Sequence, residues 1–332
     1  MAFALRIPQI AVGSKNCKEL WLPPSGAIAV VADILKRVPN LMNGLLSVNK
    51  ASGITSRDAV NIVQRKLRPT KVGHTGTLDP LATGVLVLTV GKATRLTEYV
   101  QRMAKEYVGD FQLGRSSDTE DIEGTVTELE KPPIPTLAEL KKALPQFVGT
   151  IDQVPPLYSA LKVKGRRAYE LARSGKIIEL APRRIEVYSL EITHYDYPDL
   201  QLRIKCGSGT YVRSLGRDIA RAVGSAAVMT SLERTAIGQF HIGNCIPSED
   251  LADVDLGCRL LPMTSAVADL QAVNVSVADI DRLRYGRSIE PAGNLDDSSE
   301  AAAIGPDNDL AAILVHRANG WGPVKSFLEQ TT

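Results

Sequence analysis

The apolar positions change period several times along the chain, and each change marks an element. GLLSVNK at 44–50 is a short apolar run that predicts a strand. In the segment that follows, SGITSRDAVNIVQRKLRP, residues Ala59, Val60, Val63 and Leu67 recur on one helical face. Thr55 with Asp58 gives that helix a capping-box start, Arg65, Lys66 and Arg68 suit its end, and Pro69 stops it. GVLVLTVG at 84–91 is apolar on both faces and predicts a buried central strand. A helix is expected over 94–105, then a strand in EYVGDFQLG with Tyr107, Phe111 and Leu113 on one face.

Residues 115–135 are acidic and turn-rich and end in KPPIP, the grammar of a surface excursion. Helices are expected over 137–147 and 167–173, the second closed by Gly175, and strands over 185–193 and 200–206. GSGTYVRSLGRDIARAVG then reads as a glycine-rich turn feeding a helix. That turn is either an ordinary helix entrance or a phosphate cradle with Thr210 as cap. Beyond Pro262, short β-like pieces at 273–277, 301–304, 311–315 and 324–327 predict a small separate β-rich domain.

At 332 residues and 44% apolar content the chain can bury a large core, which suggests one large domain and a smaller one. Its 39 basic and 37 acidic residues nearly cancel, but they are segregated. From Lys50 to Lys71 six basic residues face one acid, and from Lys162 to Arg184 eight face two, whereas 249–310 holds thirteen acids and four arginines. Such segregation suits a phosphate-facing surface on a near-neutral protein; a merely solvated face is the plainer alternative.

The cysteines Cys17, Cys206, Cys245 and Cys258 lack framework spacing, as suits a reducing compartment, and His74, His194, His241 and His316 are too scattered for a local zinc motif. No apolar run is long enough for a membrane helix, and a soluble, cytoplasmic chain is expected. Residues 1–41 do not read as a secretory signal; they read as an N-terminal extension, with Met42 as a candidate translation start. GSGTYVR places Val212 where a dinucleotide fingerprint needs its third glycine, and no GxxxxGK[ST] occurs, so no nucleotide cofactor is expected.

The candidate chemistry lies in GHTGTLDPLATG at 73–84. An Asp before Pro is a common turn former. Here, though, Asp79 sits among Gly73, Gly76 and Gly84, which let a ligand approach the backbone, and it feeds a strand that would hold it rigidly. A single carboxylate on a rigid base suits covalent chemistry, which needs one oxygen nucleophile. A hydrolase reading is disfavoured because the stretch offers His74 but no second acid to pair with it and activate water.

GHTGTLDPLATGVLVL preceded by NGLLSVNKASGITS resembles the TruB-type tRNA pseudouridine synthases, which isomerise uridine 55 in the T loop of tRNA. KEYVGDFQLGRSSDTEDIEG, QVPPLYSALKVKGRRAYELARSG, CGSGTYVRSLGRDIA and LERTAIGQF match in the same order, so the resemblance spans about 43–240. Thr77, where alanine often stands in this motif, is a harmless difference. The C-terminal piece ending GWGPVKSFL resembles the family's PUA-like RNA-binding domain only loosely.

The resemblance implies an α+β fold, with a mixed, mainly antiparallel central sheet flanked by helices at 42–262, an RNA-gripping insert at about 118–185, and a PUA-like domain at 263–332. It implies Asp79 as nucleophile on ribose C1′ or uracil C6, Arg213 as its cationic partner, and Tyr107 as the ring that stacks on a flipped uracil and assists proton transfer. His74 would support the space the base leaves. Gly73, Thr75 and Gly76 would face the substrate, Tyr211 and Leu232 would complete an apolar wall, and Lys105 would support the Tyr107 strand. The implied partner is the T-stem loop of tRNA, bound by a monomer along the helix at 55–68 and the segment at 162–184, with no metal or organic cofactor. The competing reading is a non-catalytic tRNA-binding or RNA-folding protein.

Overall fold

The computed structural model describes residues 42–159, 161–163, 166–167, 180–291, 295–296 and 299–329. The extension at 1–41 and all but the first residue of the helix expected at 167–173 lie outside the described residues, as do most side chains of the basic segment at 162–184; Arg167 itself ends a short strand. In chain order the elements are β1 (Gly44–Lys50), α1 (Ser56–Lys66), β2 (Val72–His74), β3 (Thr83–Val90), α2 (Thr97–Arg102), β4 (Lys105–Leu113), β5 (Arg115–Ser117), β6 (Val126–Glu128), α3 (Leu137–Ala143) and β7 (Gly149–Gln153). They continue with β8 (Lys162–Val163), β9 (Arg166–Arg167), β10 (Arg183–Asp196), β11 (Asp199–Cys206), α4 (Val212–Ala222), β12 (Ala227–Ile237), β13 (Phe240–His241) and β14 (Ile246–Pro247). The C-terminal part adds β15 (Gln271–Asn274), α5 (Val277–Arg284), β16 (Ala301–Ile304), β17 (Leu310–Arg317) and β18 (Gly320–Ser326).

Among the described residues, one ten-stranded sheet runs in the order β14-β1-β3-β12-β4-β11-β10-β7, with β2 attached to β3 and β13 to β12. Only the β1–β14 and β3–β12 pairs are parallel, so the sheet is mixed and mainly antiparallel. The apolar run of β3 has a simple cause. Leu86, Leu88 and Val90 join one core with Val60 of α1, Phe111 of β4 and Leu215 of α4, while Val85 and Val87 join a second core on the opposite face. A strand covered on both sides has no position left for a polar side chain to meet water.

The second core is shared with the C-terminal part through Ala302, Ile313 and Phe327. There a separate sheet, β15-β16-β17-β18, also has a core of its own with Leu283 of α5. Polar contacts reinforce the docking: Lys92 Nζ donates to Phe327 O at 2.9 Å, and Glu300 accepts from Tyr99 at 3.0 Å and pairs with Arg102 at 3.2 Å.

The helix expected over 94–105 is shorter and split: a 3₁₀ turn at Gly91–Leu96 leads into α2, and Met103, with ψ 150°, turns the chain into β4, so Lys105 opens a strand. Thr210 does not cap α4. Tyr211 occupies the N-cap position, and the Thr210 hydroxyl donates to Gly207 O at 3.3 Å instead. Helix α5 replaces the end of the strand-like piece at 273–277, because Ser276 and Asp279 form a capping box.

One glycine fixes how α4 sits on the sheet. A methyl group at Gly216 would lie 2.0 Å from Phe111 Cε1, an impossible contact with a ring that is itself 1% exposed. By helix propensity alone Gly216→Ala would gain about 1 kcal/mol. Overpacking against a fixed ring opposes this, and the net expectation is a loss of about 2 kcal/mol, read as a lower urea midpoint.

Candidate active site

Asp79 follows β2 in a loop that is tied down on both sides. Before it, Thr75 donates to Val87 O through its amide (3.0 Å) and its hydroxyl (3.2 Å). The Ser56 hydroxyl at the start of α1 accepts from the Leu78 amide at 2.8 Å and donates to Leu78 O at 3.1 Å. After it, Gly53 N donates to Pro80 O at 2.9 Å, and Ala82 N to Asp79 O at 3.1 Å.

Lys50 adds to this clamp. Sequence charge counting assigns it to a phosphate-facing surface, yet it is fully buried, with its ammonium donating to Ala51 O, Ile54 O and Pro80 O. Burial lowers its pKa, and the nearby Asp79 carboxylate opposes that shift. Of the same basic run, Arg57, Arg65, Arg68 and Lys71 are exposed, as a phosphate-binding face requires.

At the far end of β3's entry, Gly84 has φ +99° and sits against β12, where a side chain would strike Arg234 O at 2.2 Å. Only glycine combines that left-handed conformation with so close a backbone approach.

Arg213 comes from the first turn of α4. Its entrance is held by Gln153 of β7, whose amide side chain donates to Tyr211 O (3.0 Å) and accepts from Tyr211 N (2.9 Å). The guanidinium is 8% exposed and meets four partners. It pairs with Asp79 Oδ2 at 3.0 Å and Asp121 Oδ2 at 3.0 Å, and donates to Thr119 O at 2.7 Å and Tyr158 O at 3.2 Å. Asp79 itself is 39% exposed, so the carboxylate is oriented by the arginine yet reachable from the cavity.

Residues 115–135 are mostly exposed, as a surface excursion should be, and Asp121 is an exception. Residue 120 adopts φ +66° and turns the chain inward, Asp121 is 3% exposed, and the turn is stitched to β12 by Ile122 N to Met229 O and Met229 N to Glu120 O, both 3.1 Å. Glu120 accepts from Ser214 at 2.6 Å and pairs with Arg217, so two acids of this segment hold the first turns of α4. Asp79 is therefore a lone acid only in sequence.

A cavity of about 440 Å³ opens at this pair, within the usual range for small-ligand pockets. Thr75, Gly76, Asp79, Lys105, Tyr107, Tyr211, Arg213 and Leu232 all line it, so eight of the ten sequence-named site residues converge. Gly73 and His74 do not line it. They sit on β2 opposite Thr89 and Leu88, where burial lowers the His74 pKa and its Nδ1 finds no protein partner among the described residues.

Tyr107 of β4 stands directly across from Arg234 of β12, so the two side chains share a face. Packing around the phenol raises its pKa, and the Arg234 guanidinium opposes that rise. Arg234, Lys50, Asp121 and Gln153 were not singled out from sequence. Arg234 lies in the LERTAIGQF stretch without any local signal beyond that match; Asp121 and Gln153 act through contacts distant in sequence, and Lys50 ties the adjacent Ala51 and Ile54 to the distant Pro80.

A model described as "TruB family pseudouridylate synthase (N terminal domain)" matches residues 64–212. A tRNA pseudouridine synthase B of Dehalococcoides mccartyi is 40% identical over 295 residues, covering 87% of this chain and 98% of its own. One from Streptococcus pneumoniae serotype 4 is 39% identical, covering 86% and 100%. Among solved structures, a chain from a Cbf5–Nop10–Gar1 complex superposes with a TM-score of 0.69 at 23% identity, covering 89% of this chain and 88% of that one, a likeness of fold. With relatives this similar along nearly their whole length, and a mixed α+β sheet of matching architecture around the cavity, the chain belongs to the TruB family of pseudouridine synthases.

Proposed function

We propose that this enzyme isomerises uridine 55 in the T loop of tRNA, with Asp79 as nucleophile. The observation that carries the reading is the Asp79–Arg213 pair, 3.0 Å apart, at a cavity that Tyr107 also lines. Arg213 favours the ionised carboxylate and aims it. A uridine stacked in a folded loop cannot reach it, so the base is flipped out, at about a few kcal/mol, and covered by the Tyr107 ring.

The nucleophile attacks C1′ or C6, the C1′–N1 bond breaks, the base turns, and C5 bonds to C1′. The exposed arginines of α1 track the phosphates of the T-stem, and His74, outside the cavity wall, supports the loop the uridine leaves. Recognition rests on the shape of the folded arm, bound by a cytoplasmic monomer with PUA-like C-terminal residues 263–332.

Tritium release from T-arm RNA labelled at uridine C5 tests this. Release that requires a uridine at position 55 is expected. Tight binding of the RNA with no release from any uridine would instead identify a non-catalytic RNA-binding protein.

A further inference from the structure

The cavity wall carries more positive charge than the catalytic pair explains. Arg213 is matched by Asp79 and Asp121, but Lys105 and Arg234 also line the wall, at 8% and 3% exposure. Lys105 Nζ donates to Met103 O at 2.7 Å and to Gln101 O, the carbonyls at the end of α2. Arg234 Nε donates to Val85 O at 2.7 Å. Both are held by main-chain oxygens, and neither ion-pairs with a carboxylate among the described residues. Buried charges are ordinarily paired, so two unpaired cations on one cavity wall describe a place prepared for negative charge. An ammonium has three N–H groups, and the two carbonyls leave one of Lys105's for a ligand.

We propose that Lys105, with Arg234 beside it, is a substrate-contacting cation that stabilises the negative charge the uracil carbonyl oxygens acquire during isomerisation. The inference rests on the synthase reading but not on the route of attack. Attack at C1′ expels the base with the C1′–N1 electron pair, which spreads from N1 onto O2 and O4. Attack at C6 sends the C5–C6 π pair towards O4. In either case the C1′–N1 bond breaks, the C5–C1′ bond forms, Asp79 leaves the carbon it attacked as a free carboxylate, C5 loses a proton and N1 gains one, so atoms balance and nothing is oxidised. Cations fixed in advance at low exposure act on such charge without reorganising. A phosphate is the less suitable anion, because it belongs to a continuous strand that must stay at the cavity mouth while the base goes deepest.

The groups around Lys105 agree on its behaviour. Burial first, and the Arg234 charge second, lower its pKa to about 8. Cys206, opposite it on β11, is itself raised to about 11 by burial and stays neutral there. Lys105 is thus charged below about pH 8 and loses its charge above it.

The test measures the single-turnover conversion rate and the dissociation constant for T-arm RNA as functions of pH, with wild type, Lys105→Met and Lys105→Arg. The expected result is a loss of roughly 100-fold in rate for Lys105→Met with RNA affinity little changed. Lys105→Arg should recover most of the rate, and the decline of wild type above about pH 8 should be absent from it. If Lys105→Met fails to fold, the arginine variant's pH profile decides alone. A variant that weakens RNA binding without slowing conversion, or an arginine variant that keeps the alkaline decline, overturns the proposal and assigns Lys105 to phosphate contact or helix capping. Wild type that converts no uridine would overturn the synthase reading itself, whereas active wild type with an unaffected Lys105→Met overturns this inference alone.

Discussion

Asp79→Asn is expected to abolish uridine conversion, by at least about 10³-fold, while leaving the protein folded and able to bind T-arm RNA. The amide has the shape of the carboxylate but is no nucleophile. The loop stays in place because its anchors are the bonds made by Thr75, Leu78 and Pro80, not the Asp79 side chain. Arg213 also stays, held by Asp121, Thr119 O and Tyr158 O. A half-exposed ion pair contributes only about 0–1 kcal/mol, so the change in stability should be small. Tritium release and filter binding on the same preparation measure the two effects, and conversion at the wild-type rate would remove Asp79 from the mechanism.

Arg213→Met should damage both activity and stability, and a second substitution separates them. Removing the guanidinium leaves the buried Asp121 without its cation, a loss of about 3–5 kcal/mol. It also frees Asp79 from its orienting partner, and conversion should fall by on the order of 10²-fold or more. Adding Asp121→Asn removes the stranded charge, so the urea midpoint should recover in part while conversion stays low. If the double variant recovers neither, or if conversion returns with stability, the pairing of roles fails.

The two substitutions differ because Asp79 and Arg213 sit differently in the fold. Asp79 stands at the cavity edge, where a charge is solvated and cheap to alter. Arg213 lies beneath it, where one guanidinium satisfies two carboxylates and two carbonyls at once.

Much of this protein is legible from local pattern. The capping box of α1, its buried face at Ala59, Val60 and Val63, and the doubly covered β3 follow from spacing, because period and caps act within a few residues. The convergence of Asp79, Tyr107 and Arg213 on one cavity agrees with the family resemblance, which spacing alone does not supply. The burial of Lys50, the inward turn of Asp121 and the facing of Arg234 and Tyr107 across β12 and β4 belong to the tertiary structure. Each brings together residues between about 30 and 130 positions apart, and a charged side chain carries no local mark that says whether water or a carbonyl will receive it. Sequence determined most of the segments that become strand, helix and loop, though not their ends near Lys105 and Val277; packing decided which of their charges became surface and which became site.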